Sequence, residues 1–178
     1  GDSDAIERAA KQVHDQNMSL SQGALAALNH CDHPARAIAL QAFHDRWQDS
    51  PLVMEKWFMM ESMSLVSGTV ARLGELMAHP AFDANNPNKL RSVLGAFMTG
   101  NPVHFYAEDG SGFDFIGDCL IDIDARNPQL AARMALPLTR RTQYAPARRA
   151  KMGAVLQKLQ QQAQSNDLRE VIDKALAD

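Results

Sequence analysis

The chain has 178 residues, of which 46% are apolar and 22% charged, and a formal net charge of −3; this composition suits a folded protein with a sizeable core and excludes a disordered tail. No stretch approaches the roughly 18 consecutive apolar residues of a membrane span, and ten Gly and eight Pro are too few for a collagenous or linker-like chain. The small net charge conceals an asymmetry, because residues 125–166 hold eight cations and no acid, so that window carries +8 and the remainder −11. Cys31 and Cys119 are far apart and form no C-x-x-C pair, which argues against a zinc ribbon, a thioredoxin-type site or a disulfide framework; they read as two buried thiols in a reducing cytoplasmic setting.

The first residues, Gly1-Asp2-Ser3-Asp4, lack both an initiator Met and the basic-then-apolar pattern of a signal peptide, so the start is expected to be processed or cut from something longer. From there apolar residues recur at helical spacing almost everywhere, and no run alternates β-branched with polar residues. The expected fold class is all-α: an irregular HEAT/armadillo-like helical-repeat superhelix of about ten short helices, with residues 1–178 forming a single helical domain. In chain order the helices are expected at 3–16, 20–30, 34–48, 51–62, 66–78, 87–99, 112–125, 128–138, 147–163 and 167–177. Their starts are written in Ser50-Pro51, Asn86-Pro87, Asn101-Pro102 and Asn127-Pro128, where a capping side chain precedes a Pro whose missing N–H costs nothing at a first helical position. His33-Pro34 and Ala145-Pro146 have the Pro without an ideal cap, and Ser111 reads as the cap of the helix beginning at Gly112. Helix pairs recur about every 35 to 40 residues, as in HEAT or armadillo repeats, although no residue signature repeats at that period. The one longer non-helical stretch is expected at 103–112, where Glu108-Asp109-Gly110-Ser111-Gly112 concentrates turn formers.

Most candidate sites resolve into structure. A His-Glu-x-x-His metallopeptidase motif is missing, and in His30-Cys31-Asp32-His33 adjacent side chains splay apart, so one ion would rarely collect more than two of them. Asp109-Gly110-Ser111-Gly112 lacks the phosphate-loop lysine and carries two acids, which leaves a structural turn. Asp114, Asp118 and Asp122 form a stripe at spacing four, followed by Asp124, without an EF-hand glycine or closing Glu, and read as solvent-facing. Trp47, Trp57, Phe58, Met54, Met59, Met60 and Met63 read as core rather than a cofactor pocket. No G-x-S-x-G elbow supports nucleophilic catalysis. On the helix after Asn127-Pro128, Gln129 and Arg133 stand at i and i+4, apart from the apolar stripe of Leu130, Met134 and Leu138. This donor pair reads either as a solvated face or as a contact in which the forked guanidinium meets a ligand's carboxylate or carbonyl. The surrounding positive segment has only Tyr144 as a stacking residue and no nucleic-acid-binding motif.

Longer words in the chain carry more. Leu52-Val53-Met54-Glu55-Lys56-Trp57-Phe58, then Asn86-Pro87-Asn88-Lys89-Leu90-Arg91-Ser92 leading to Gly95-Ala96-Phe97, then Ala107-Glu108-Asp109-Gly110-Ser111-Gly112-Phe113, then Arg126-Asn127-Pro128-Gln129 closely resemble the C-terminal domain of the bacterial aminopeptidase N family, the alanyl aminopeptidases of the gluzincin class. The resemblance runs in order to the last residues and is weakest over the first thirty or so. It implies the non-catalytic last domain of a four-domain zinc exopeptidase, a helical bowl that caps the catalytic domain and shapes the chamber through which peptides enter. On that reading the chain has no catalytic residue, no metal site and no cofactor; Zn2+ and its ligands belong to upstream domains of the same polypeptide. Gln129 and Arg133 match the Gln and Arg that in this family line the substrate channel beyond the scissile bond. The partners implied are the upstream catalytic domain and peptide substrates, not nucleic acid or membrane, and the isolated fragment is expected to be prone to self-association. A free-standing helical-repeat interaction scaffold is the competing reading from composition and periodicity alone.

Overall fold

In the computed structural model, which describes residues 2–177, every regular element is helical, and no strand occurs among the described residues. The helices are α1 (Ser3–Gln12), α2 (Met18–Leu28), α3 (Pro34–Trp47), α4 (Pro51–Ser62), α5 (Thr69–Met77), α6 (Pro87–Leu90), α7 (Ala96–Gly100), α8 (Pro102–Phe105), α9 (Ser111–Asp124), α10 (Pro128–Thr139), α11 (Pro146–Gln162) and α12 (Asn166–Ala177). The all-α expectation holds, and most boundaries fall within a few residues of those read from the proline positions.

The differences have local causes. Helix α1 ends at Gln12 rather than near residue 16, because the Asn17 N–H donates to Asp15 Oδ1 at 2.7 Å and Asn17 Oδ1 in turn accepts from Ser19 N at 2.9 Å, opening α2. Helix α5 starts at Thr69, after Gly68 at φ +82°, a left-handed conformation that glycine adopts without a Cβ clash. The helix expected over 87–99 is interrupted by a π-helical turn at Arg91–Gly95. A helical turn, α8, occupies part of the stretch expected to be irregular. Ser111 is the first residue of α9 and not its cap: Gly110 at φ +83° holds the cap position, and Asp109 Oδ1 accepts from Ser111 N at 2.9 Å. His33 does cap α3, its Nδ1 accepting from Ala35 N at 3.1 Å, whereas Ser50 makes no side-chain cap.

By contact density the chain divides into two units, one comprising the chain up to Asp83 with Arg91–Asn101, the other Ala84–Leu90 with the chain from Pro102 onward. In the first, helices pack consecutively from α1 to α5, and α4 also packs on the Arg91–Gly95 turn and α7. Its core is built from Leu25, Leu28, Phe43, Met54, Phe58, Leu73, Leu76, Val93 and Phe97, all buried; each such side chain contributes about 1.5–3 kcal/mol by leaving water. Asn101 is also buried and its Nδ2 donates to the carbonyls of Ser62 and Ser64 at 3.1 and 2.7 Å.

In the second unit α10 and α11 each pack on both α9 and α12, around Phe105, Phe113, Ile116, Leu120, Ala131, Leu138, Met152, Leu156, Leu168 and Ile172. Gly112 allows α9 to start against the backbone of α8, since a Cβ there would stand 2.4 Å from the His104 carbonyl oxygen. Asp124, 2% exposed, accepts from Gln164 N at 2.7 Å, Ser165 N at 3.0 Å and the Ser165 hydroxyl, so a buried carboxylate ties the end of α9 to the entry of α12.

Candidate functional site

Helix α10 is a platform with one committed face and one open face. Asn127 Oδ1 accepts from Leu130 N at 3.1 Å and Pro128 takes the first helical position, which fixes the start. Leu130, Ala131, Met134, Ala135 and Leu138 are buried, so the opposite side carries Gln129, Arg133 and Leu136 at the surface. At 1.5 Å per residue, Gln129 and Arg133 stand about 6 Å apart along the axis on one face. Among the described residues no ion pair engages Arg133. Pro137 lies inside the same helix and has no N–H to give to the Arg133 carbonyl four residues back. The patch therefore offers an amide and a fork of N–H donors to an extended peptide or a carboxylate.

The other cations of residues 125–166 are largely committed to backbone carbonyls. Arg141 donates to the carbonyls of Ala175 and Leu176 at 3.1 and 3.3 Å, closing the end of α12; Arg148 donates to Tyr106 O and Arg149 to Thr142 O, both at 2.9 Å. Arg126 donates through Nε to Asp122 O at 3.2 Å, and Lys158 pairs with Asp118. The positive window thus fastens helix ends more than it forms a continuous basic surface. Tyr144 stacks on Tyr106 at 4.8 Å between centroids, and burial together with the Tyr144 hydrogen bond pushes the Tyr106 hydroxyl up to about 12.

The remaining candidates fall into place one by one. Among the described residues no three His, Cys, Asp or Glu side chains come together in a metal-holding group. The 30–33 stretch disperses: His33 caps α3 and the half-exposed Cys31 directs its thiol to Ala27 O at 3.6 Å. The expectation that both thiols are buried is thus corrected for Cys31, which sits on the turn after α2, and holds for Cys119, where burial foremost, with Asp122 and Asp118 nearby, pushes the thiol up to about 12. Asp114, Asp118 and Asp122 face solvent as expected, while Asp124 does not. Met54, Trp57 and Phe58 are core; Trp47, Met59, Met60 and Met63 are only half-buried.

Two clusters of the first unit escaped the sequence reading. Glu61 is 4% exposed and lies between Arg36, at 3.1 Å, and Arg72, at 2.8 Å; Arg72 also reaches Glu75 at 2.7 Å. These side chains line a cleft of about 420 Å³ with Gln41, Trp57 and Thr69, in which two cations and two carboxylates cancel. Second, His44 and His79 bring their Nε2 atoms to 3.1 Å beside the Trp57 ring. A sign of the first was present: Glu61 continues the i, i+3, i+4, i+7 stripe of Met54, Trp57 and Phe58, so a lone charge rode an apolar face. Asp124 ends the stripe of Ile116, Gly117 and Leu120 in the same way. For the histidines no sequence pattern links residues 35 apart.

Comparison with known proteins gives a consistent result. The description of one family, "Domain of unknown function (DUF3458_C) ARM repeats", fits residues 1–177. The chain is 40% identical over 170 residues to aminopeptidase N of Escherichia coli (strain K12), covering 94% of this chain and 20% of that protein. It is 37% identical over 169 residues to aminopeptidase N of Haemophilus influenzae, covering 93% of this chain and 19% of that one. A crystal structure of Legionella pneumophila aminopeptidase A in complex with aspartic acid superimposes with a TM-score of 0.92 at 30% identity, over 97% of this chain and 20% of that one. The chain thus spans about a fifth of the length of the relatives it matches.

Proposed function

We propose, from the premise that this chain belongs to the DUF3458_C family of ARM-repeat domains, that residues 1–178 serve as the C-terminal, non-catalytic domain of a cytoplasmic zinc-dependent aminopeptidase of the aminopeptidase N type. The domain caps the catalytic domain of the same polypeptide and walls the chamber that admits peptides. The observation that carries this reading is the in-order likeness of 94% of the chain to one fifth of an aminopeptidase N.

The donor set of this chain does not fit a zinc ion. Among the described residues no group of three metal-ligating side chains exists, and the closest pair of imidazoles, His44 and His79, is already joined through its Nε2 atoms. On this reading zinc and the hydrolytic chemistry belong to the upstream part, and this chain contributes binding and access. Gln129 and Arg133 line the substrate channel on the side where the peptide continues past the scissile bond. Their amide and guanidinium hold the peptide backbone or its carboxyl end. Burial of the opposite face of α10 keeps both side chains aimed outward without a competing internal partner.

Metal content and activity of two preparations test the reading. The complete polypeptide is expected to carry about one zinc ion and to release N-terminal residues from peptides, whereas the isolated 178-residue chain binds no stoichiometric zinc and releases nothing. A zinc-loaded isolated chain, or a native polypeptide ending at this length with peptidase-free binding activity, would overturn it in favour of a free-standing scaffold.

A further inference from the structure

Tyr106 and Tyr144 are the two tyrosines of the chain, and the fold lays one on the other although the whole of α9 and α10 lies between them in sequence. Their rings stack at 4.8 Å between centroids, with 25° between the planes. The other ring contacts of Tyr106, with Phe105 and Phe113, are edge-on at 4.6 and 5.8 Å, the arrangement common among packed aromatic side chains. The two tyrosine hydroxyls are hydrogen-bonded to each other, which sets both C–O bonds at the same end of the stack. The ring carbons beside each hydroxyl therefore face those of the other ring.

The pair is held from both sides by neighbouring arginines of α11. Tyr106 follows α8, its N–H donating to Pro102 O at 3.3 Å, and its carbonyl accepts from Arg148 Nε at 2.9 Å. Tyr144 closes the turn at Arg141–Gln143, its N–H donating to Arg141 O at 3.1 Å, and Arg149 holds the Thr142 carbonyl of the same turn at 2.9 Å. Every one of these residues belongs to the second unit. Both rings are half-buried, so they are fixed in place and still present an edge to solvent.

Two phenols so placed have a chemistry that two phenylalanines in the same stack would lack. Loss of one electron and one proton turns a phenol into a phenoxyl radical, with part of its unpaired electron on the carbons beside the oxygen. Two such radicals pair their electrons in a new carbon–carbon bond. The hydrogen on each bonded carbon is then lost as a proton while each oxygen regains one, so both phenols are restored. In sum the chain loses two hydrogen atoms, and two electrons and two protons pass to the oxidant. When a peroxidase supplies the oxidation, hydrogen peroxide takes them up, its O–O bond breaks and two waters form.

We propose that Tyr106 and Tyr144 form an oxidative cross-linking site, joined as dityrosine when a one-electron oxidant, such as a peroxidase with hydrogen peroxide, acts on the folded chain. The bond closes a covalent loop that contains α9 and α10, with Gln129 and Arg133 inside it, and ties the residue after α8 to the turn before α11. Rings already stacked couple without a search, whereas in the unfolded chain they must first close the long loop between them.

Photo-oxidation of the 178-residue chain with tris(bipyridyl)ruthenium and persulfate, kept dilute, tests the site; persulfate takes up the two electrons and ends as two sulfates. The folded chain is expected to give a monomeric product lighter by two hydrogen atoms, whose digest contains one peptide pair joined through Tyr106 and Tyr144. The urea-unfolded chain at the same concentration is expected to give about tenfold less of it, the advantage of pre-positioned over searching groups. In Tyr144→Phe, which keeps the stacked ring, the product is expected to vanish. Coupling mainly between chains, equal yields from folded and unfolded chain, or the same two-hydrogen loss in Tyr144→Phe would each overturn the proposal.

Discussion

The two units of this chain use charge in opposite ways. In the unit built around α4, charged groups turn inward: Glu61 is held by Arg36 and Arg72, and Arg36 Nε also reaches Asn29 O at 3.0 Å, where the Ser64 hydroxyl donates at 2.8 Å. In the unit built around α10, cations turn to helix ends and to the surface, and Arg133 is left without an ion-pair partner among the described residues. The ion cluster joins α3, α4 and α5 through Arg36, Glu61 and Arg72, whereas an uncommitted guanidinium on a helix surface is available to a ligand. The stability of the first unit and the exposed donor face of the second therefore depend on different residues. Both tryptophans lie in the first unit and both tyrosines in the second, so each unit carries its own spectroscopic reporter.

The sharpest way to break this contrast is Glu61→Ala. It leaves two guanidiniums without their buried carboxylate, and the tryptophan-monitored denaturant transition is expected to lose about 3–5 kcal/mol. A loss below 1 kcal/mol would mean that the cluster is solvated and does not organise the first unit. Next is Asp124→Ala, which strips three donors of their acceptor at the entry to α12. The tyrosine-monitored transition is expected to lose about 2 kcal/mol, with the tryptophan signal unmoved; a matching shift in the tryptophan signal would show that the units do not unfold separately. The smallest expected change in stability is that of Arg133→Ala, within about 0.5 kcal/mol of the parent because an exposed side chain without an internal partner is removed. A larger loss would show that Arg133 supports the fold and is not held in reserve.

Helix positions were largely legible because they are local. Proline at the first helical residue, a preceding Asn, and the 3.6-residue apolar period act within one or two turns, and α3, α4 and α10 start at the expected residues. What escaped is mostly long-range: the union of His44 with His79, or of Arg36, Glu61 and Arg72, depends on helices meeting in space, whereas His33 as a cap depends on a local rotamer. Glu61 and Asp124 did leave a trace, each a carboxylate on an otherwise apolar stripe, where an unpaired charge would be too costly to bury. Of the candidate site, the shared face of Gln129 and Arg133 was readable from spacing, and their exposure agrees.

The central claim is that α10 meets the peptide beyond the bond being cut. It is tested most directly by kcat/KM of the complete polypeptide carrying Arg133→Ala, measured on a peptide of several residues and on a single-residue chromogenic substrate that ends at the scissile bond. The account predicts a loss of about tenfold or more on the peptide, the worth of a charge-assisted hydrogen bond, with little change on the short substrate. Equal losses on both would contradict it.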